Sequence, residues 1–360
     1  MSRLGNHRSW LLKGASICVL ATFVLACSIG WIGKATDKQG GAKMSERMKT
    51  LCVGRFLVDL PADASVHIGR IFVSGYDVTS SVEESDQEYS ERAEKIKAGI
   101  VESNGEVQHR VLESVMPISF AEGRGTVLTY NRRDAKAFEG KRIVTIEDID
   151  VQGIVRISGV SITATAEGMA LDSGNGLARL FERFRALAPD EIPQERGFCI
   201  GHAVVRDPYD HPENEGVVLF AGLPGHPDVN IVLSSMAGTD PAPRLLKRHA
   251  ASRERRPFFM RWAFTNLRER ERTINGLTGD ELVIRVREPN FTTGYSFQWE
   301  VQGEPDDVLA PLLTLEFESG SNPVAGGKPL SSSLSEERMF ELWERIASSI
   351  RLRPTNFDRS

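Results

Sequence analysis

Seven histidines and four cysteines are the side chains of this 360-residue chain with the widest chemical repertoire, yet their spacing offers little of it. No two histidines stand at metal-ligand spacing. The His-Glu-x-x-His pattern, which sets two imidazoles on one helix face around zinc, is absent. Gly-x-Ser-x-Gly is also absent, so the nucleophile elbow of an α/β-hydrolase is missing. There is no Walker A sequence, and no cofactor is implied. Gly123-Arg-Gly125 and Gly174-Asn-Gly176 lack a third glycine and read as turns.

Two charged stretches remain. Asp207, Asp210, His211, Glu213 and Glu215 form the densest acidic cluster. Its two prolines and the lack of a glycine at a loop turn do not match a calcium loop, so it reads as a solvated loop rather than a metal site. Arg244 to Arg272 holds ten basic residues and three acids. Anion binding is one reading. A solvated helix followed by a half-buried aromatic segment is the simpler one.

Cys18 and Cys27 lie in an apolar N-terminal run, while Cys52 and Cys199 open two similar strands. Cys52 and Cys199 could bridge if the fold brings those strands together, because a disulfide needs Cα atoms within about 7 Å. Otherwise they are small buried core residues. No basic pocket that would make either a catalytic thiolate is evident.

The elements that would position these residues form a tandem repeat. Cys52-Val-Gly54-Arg-Phe-Leu-Val58-Asp-Leu-Pro61 is echoed by Cys199-Ile-Gly201-His-Ala-Val-Val205-Arg-Asp-Pro208. Each copy ends in an amphipathic helix. Leu177, Leu180, Phe181, Phe184 and Leu187 line the first, before Pro189. Met339, Phe340, Trp343, Ile346, Ala347 and Ile350 line the second, before Pro354, with Ser333 and Glu336 at capping-box spacing. An earlier helix is expected in each copy, over Asp86–Ala98 and Pro241–Ala251.

Strands are expected at 125–130, 143–149 and 154–165, and at 217–220, 229–234, 281–286, 295–301 and 312–317. Runs of strands with few helical crossovers predict an α+β class: two similar tandem domains, each an antiparallel sheet with helices on one face. The boundaries expected are 51–193 and 194–356, joined by the surface connection Ala188–Arg196.

Gly14–Gly33 is twenty residues without a charge, long enough to span about 30 Å of hydrocarbon, and Arg3, Arg8 and Lys13 precede it. Residues 1–33 therefore read as a signal anchor, as a lipoprotein signal with Cys27 as the lipidated residue of Val24-Leu-Ala-Cys27, or as a cleaved signal peptide; a buried soluble helix is the remaining reading. The export readings place the rest in a bacterial periplasm, tethered to the inner membrane through polar residues 34–50.

With 44 basic against 49 acidic residues overall and the balance negative after residue 50, the body lacks the basic footprint that nucleic acid requires. The expected state is a monomer, and the absence of a catalytic constellation points to a binding module rather than an enzyme.

The segments KTLCVGRFLVDLPADA, GFCIGHAVV, Asn275–Glu281, Tyr295–Glu300 and SSSLSEERMFELWERIASSIRLRP resemble the Tle cognate immunity protein 4 family, from about Lys49 to Pro354. The resemblance implies a periplasmic protein that binds and inhibits a phospholipase effector of the type VI secretion system, two α+β domains clamping the lipase and blocking substrate access. The alternatives are a membrane-tethered envelope binding or assembly protein and a periplasmic hydrolase with an unrecognised site.

Overall fold

A computed structural model describes residues 46–82, 84–101, 111–240, 242–305 and 307–356. The candidate anchor, with Cys18 and Cys27, and residues 34–45 of the tether lie outside the described residues. No helix among the described residues is long and apolar enough to cross a membrane.

The first repeat runs β1 (Met48–Val53), β2 (Phe56–Pro61), β3 (Ser65–Val73), β4 (Tyr76–Ser81), α1 (Asp86–Val101), β5 (Leu112–Phe120), β6 (Gly123–Glu139), β7 (Arg142–Ile157), β8 (Val160–Met169), α2 (Ser173–Phe181) and β9 (Phe184–Ala186). The second runs β10 (Gly197–Cys199), β11 (Ala203–Arg206), β12 (Glu215–Leu223), β13 (His226–Met236), α3 (Leu245–Arg255), a 3-10 turn (Phe258–Ala263), β14 (Phe264–Ile274), β15 (Leu277–Arg287), β16 (Thr293–Val301), β17 (Leu312–Ser319), α4 (Glu336–Ser349) and β18 (Arg351–Leu352). The class is α+β and antiparallel, with four α-helices among the described residues.

The repeats do not keep separate sheets. One twelve-stranded sheet has the order β14-β15-β16-β17-β13-β12-β3-β4-β8-β7-β6-β5. The seam is β3 against β12, paired from Val73–Glu215 to Ser65–Gly222. A single buried cluster, from Val53 to Ile350, draws on both repeats. The expectation of two sheets is corrected here. Each repeat would otherwise end in an unpaired strand, and edge pairing satisfies both rows of backbone groups.

The opening hairpins are exchanged between repeats. In the β1–β2 hairpin β2 pairs with β18, from the end of the second repeat, and in the β10–β11 hairpin β11 pairs with β9, from the end of the first. Each hairpin turns on a glycine with positive φ, +59° at Gly54 and +87° at Gly201, which accounts for the repeated Cys-x-Gly. Gly54 and Cys199 exchange two backbone hydrogen bonds across the hairpins, at 3.0 and 2.8 Å. The junction is less superficial than expected. Buried Arg353 donates to the carbonyls of Pro193, Glu195 and Gly197, each at 2.6 Å.

The helices lie on both faces of the sheet, not one. Glu281 faces α4, taking the Trp343 indole N–H at 2.7 Å, whereas its neighbour Asp280 faces α3 and accepts from the Leu246 amide at 3.1 Å. Alternate strand residues point to opposite faces, so α3 and α4 sit on opposite sides. In the first repeat Gly153 lies under α2, against Leu177 and Phe181. Arg156, three residues on and on the other face, pairs with Asp86 of α1 at 2.6 Å.

Several local expectations shift for identifiable reasons. The first closing helix stops at Phe181, and Phe184 instead enters β9, where backbone pairing with β11 replaces another helical turn. The strand expected over 154–165 contains a hairpin turn at Ser158-Gly159, both with positive φ. α3 begins at Leu245, because Pro243 disfavours helix at the residue before it; Pro241, where it was expected to start, lies outside the described residues. The cap of α4 is Ser335, whose hydroxyl accepts from the Arg338 amide at 3.3 Å, while Ser333 bonds His226 at 2.8 Å. Neither Gly-x-Gly pair is a turn. Gly123 and Gly125 lie in β6, where a Cβ on Gly125 would come within 2.2 Å of the Ile154 carbonyl, and Gly174 and Gly176 lie in α2.

Candidate binding interface

Cys52 and Cys199 form a disulfide with Cα atoms 5.9 Å apart, joining the hairpins across a sequence separation of 147. Peptide mapping without reduction is expected to recover the Cys52 and Cys199 peptides linked to one another. Free thiols at both positions would show that the hairpins are not joined.

Beside the bridge lies a polar cluster that sequence spacing did not reveal. Arg55, in the β1–β2 turn, reaches Glu215 through Nε at 2.7 Å and Nη2 at 2.9 Å, and Asp207 through Nη1 at 2.8 Å. Tyr209 donates its hydroxyl to Glu215. Burial alone would lower the Arg55 pKa, but its bonds to Asp207 and Glu215 outweigh that and hold the guanidinium charged. The ends of the acidic stretch 207–215 are thus engaged in an inter-repeat ion pair, with Glu215 buried and Asp207 half-buried. Only its middle is exposed, with His211 on Glu213 at 3.1 Å. Among the described residues no group of three or more His, Cys, Asp or Glu is placed to hold a metal ion.

A second buried carboxylate, Glu281, takes Arg270 at 2.6 Å and Arg272 at 2.5 Å besides Trp343. Burial would raise its pKa, but these bonds win and hold it below the usual range. The sequence signal was available: Arg268, Arg270 and Arg272 share one strand face, and three parallel guanidinium groups call for a carboxylate opposite. These two clusters are structural. They fix the hairpin and α4 against the sheet.

Among the described residues, the middle of the second sheet face carries no helix. α2, α4 and the hairpins share the first face, while α1 and α3 stand at opposite ends of the second. Between them β4, β3, β12, β13 and β17 present Asp77, Arg70, Phe220, Met236, Glu316 and Glu318. Phe220 and Met236 are 36% and 39% exposed. Arg70 and Asp77 pair at 2.8 Å on the same face, both exposed. The result is an open platform with an apolar middle and a polar rim, the usual make-up of a protein-binding surface.

Two carboxyls on the platform are held above the ordinary carboxylate range. Burial first, then the charges of Glu318 and Glu300, push the Glu316 carboxyl up to about 7, and Gln298 donates to it at 3.1 Å. Burial also raises Glu318. A carboxyl raised in the folded state stabilises the fold below the ordinary carboxylate range and loses that contribution as pH rises through about 7. Glu316→Gln is therefore expected to raise the melting temperature at pH 8 by about 2–5 °C and to leave it unchanged at pH 4. An equal shift at both pH values would assign the effect to packing.

Residues 49–143 match the Tle cognate immunity protein 4 N-terminal domain, and residues 191–355 match the Tle cognate immunity protein 4 C-terminal domain. No curated protein matches the chain. Among solved structures, the chain is similar to the immunity protein TplEi of the type VI secretion system from Pseudomonas aeruginosa, in its apo form, with a TM-score of 0.67 and 22% identity over 86% of this chain and 98% of that one. It is similar to the same protein complexed with "L" peptide, with a TM-score of 0.63 and 22% identity over 86% and 99%. It is also similar to a chain of the Tle4–Tli4 complex, with a TM-score of 0.68 and 22% identity over 86% and 98%. At that identity the likeness establishes the fold. Together the two domain matches span most of the described body, and on them the chain belongs to the Tle cognate immunity protein 4 family.

Proposed function

We propose that this protein is a periplasmic immunity protein that binds a type VI secretion phospholipase effector and blocks its access to substrate. The reading is supported by the family match and carried by one observation: the open sheet face between α1 and α3, with Phe220 and Met236 exposed at its centre. A lipase exposes an apolar cleft to reach lipid. A partner that binds only the closed form removes the open state from the population.

The clamp works by shape rather than by flexible linkage. One continuous sheet and the exchanged hairpins hold α1 and α3 at fixed places, so little ordering entropy opposes binding. Glu88, Glu91 and Glu94, exposed on α1, favour a basic partner surface and speed encounter. The periplasmic address and the membrane tether rest on the uncharged run Gly14–Gly33, and the unbound protein is a monomer in this reading. No catalytic role is assigned.

The test mixes the full chain with a purified type VI secretion phospholipase effector and follows fatty-acid release. Inhibition should saturate near one to one. Phe220→Glu should weaken it about 30-fold with an unchanged melting temperature. Substrate turnover by the immunity protein itself, or full inhibition by the Phe220→Glu variant, would sink the reading.

A further inference from the structure

Eight of the ten basic residues from Arg244 to Arg272 fall into two groups in space. Five are neutralised. Arg244 pairs with Glu271 and Asp280, Arg248 with Glu300, Arg268 with Glu281 and Glu344, Arg270 with Glu281, and Arg272 with Glu281 and Glu344. No ion pair among the described residues reaches Arg253, Arg256 or Arg261. These three line one cleft of about 290 Å³, with Glu254, Phe264 and Asn266.

The cleft is at the C-terminal end of α3, beside β14, the outermost strand of the sheet. The helix end offers roughly half an elementary negative charge. Glu254 adds one more. Against three guanidinium groups that leaves a positive excess, in a protein whose net charge is −5. Arg256 is half-buried, with its guanidinium carbon 4.1 Å from the centre of the Phe264 ring. Burial and the charge of Arg253 lower its pKa, so this cation sits where an incoming anion would relieve it.

The adjoining 3-10 turn supplies the second observation. Trp262 is 60% exposed and Met260 is 42% exposed, whereas Trp299 and Trp343 are fully buried. An exposed indole and thioether beside uncompensated arginines match the chemistry of a bilayer interface, where tryptophan lies at headgroup depth and arginine meets phosphate.

We propose that this cleft is a contact site for anionic phospholipid, with Arg253, Arg256 and Arg261 taking the headgroup phosphate and Trp262 and Met260 entering the interface. An acidic protein segment would satisfy the charge but gives no reason for a bare indole beside a cleft sized for a single headgroup. The cleft adjoins α3, which flanks the open sheet face, and vesicle binding tests it separately from lipase inhibition.

The test presents the full chain to vesicles of brominated phosphatidylcholine with and without phosphatidylglycerol. The Trp262 signal is the difference in fluorescence between the native chain and Trp262→Phe, which removes the contributions of the other tryptophans. That signal should be quenched only when phosphatidylglycerol is present. Joint replacement R253Q/R256Q/R261Q should weaken the phosphatidylglycerol dependence about tenfold or more with an unchanged melting temperature.

Quenching that ignores phosphatidylglycerol, or that survives the triple replacement, would overturn the proposal. So would saturation by inorganic phosphate with no Trp262 quenching on vesicles, which would mark a small-anion site. A triple variant that keeps vesicle quenching but no longer inhibits the lipase would assign the cleft to a protein partner instead.

Discussion

A fragment of residues 191–355, the whole of the matched C-terminal domain, is expected not to fold by itself. It contains α4 and β18 but lacks the hairpin β1–β2 that packs with them. Val53, Phe56, Val58 and Leu60 of that hairpin are 0–1% exposed in the intact chain. At about 2 kcal/mol for each apolar side chain, their loss removes about 8 kcal/mol of burial. Whole domains are stable by only about 5–15 kcal/mol. The fragment also loses the Arg55 partner of Glu215 and the hydrogen bonds of β18 to β2.

Fusing residues 46–62 behind residue 355 through a short Gly/Ser linker should restore a cooperative melt, because the hairpin then reaches its place from the other end. Circular dichroism melts of both fragments decide the matter. A cooperative transition in residues 191–355 alone would show that the exchanged hairpin is dispensable.

Arg55→Met should cost about 3–5 kcal/mol at pH 8, the range for breaking a buried ion pair by removing one partner. The reason is what stays behind: Glu215, 3% exposed, without its cation. Burial already raises the Glu215 carboxyl above the ordinary range, against the pull of Arg55. With the guanidinium gone, nothing of comparable strength opposes that rise. Protonation then becomes the way to remove a buried charge, so the deficit should shrink as pH falls from 8 to 5. Adding Glu215→Gln to Arg55→Met should recover more than half of the loss at pH 8. Urea melts at the two pH values measure both effects. A deficit that is constant with pH and unrelieved by the second substitution would mean that Arg55 acts through packing alone.

Legibility varied with the range of the interaction. The closing helix Glu336–Ser349 could be read from its apolar stripe, since period 3.6 needs no partner to be recognised. The repeated openings Cys52–Pro61 and Cys199–Pro208 read as single strands, whereas each is broken into a hairpin at a positive-φ glycine, Gly54 or Gly201. The first closing helix was read too long, because Phe184 and Leu187 keep helical spacing while the backbone of β9 is claimed by β11. Arg55, Tyr209 and Glu215 were invisible as a set, for Arg55 lies 154 and 160 residues from the other two and meets them only through the exchanged hairpin. Phe220 and Met236 alternate with core residues on their strands, and no pattern in the chain says which face a helix will leave bare.

By itself the sequence determined the α+β class, the internal duplication and the family. Each of these is written in local periodicity or in residues close together along the chain. Only the tertiary structure decided that the two repeats merge into one sheet, that they trade their opening hairpins, that helices cover both faces, and that half of the basic run from Arg244 to Arg272 is neutralised while three arginines share a cleft. Those outcomes depend on strand pairing and charge pairing between segments far apart in sequence. Backbone edges and guanidinium groups are alike everywhere along a chain, so the choice of partner is made by packing.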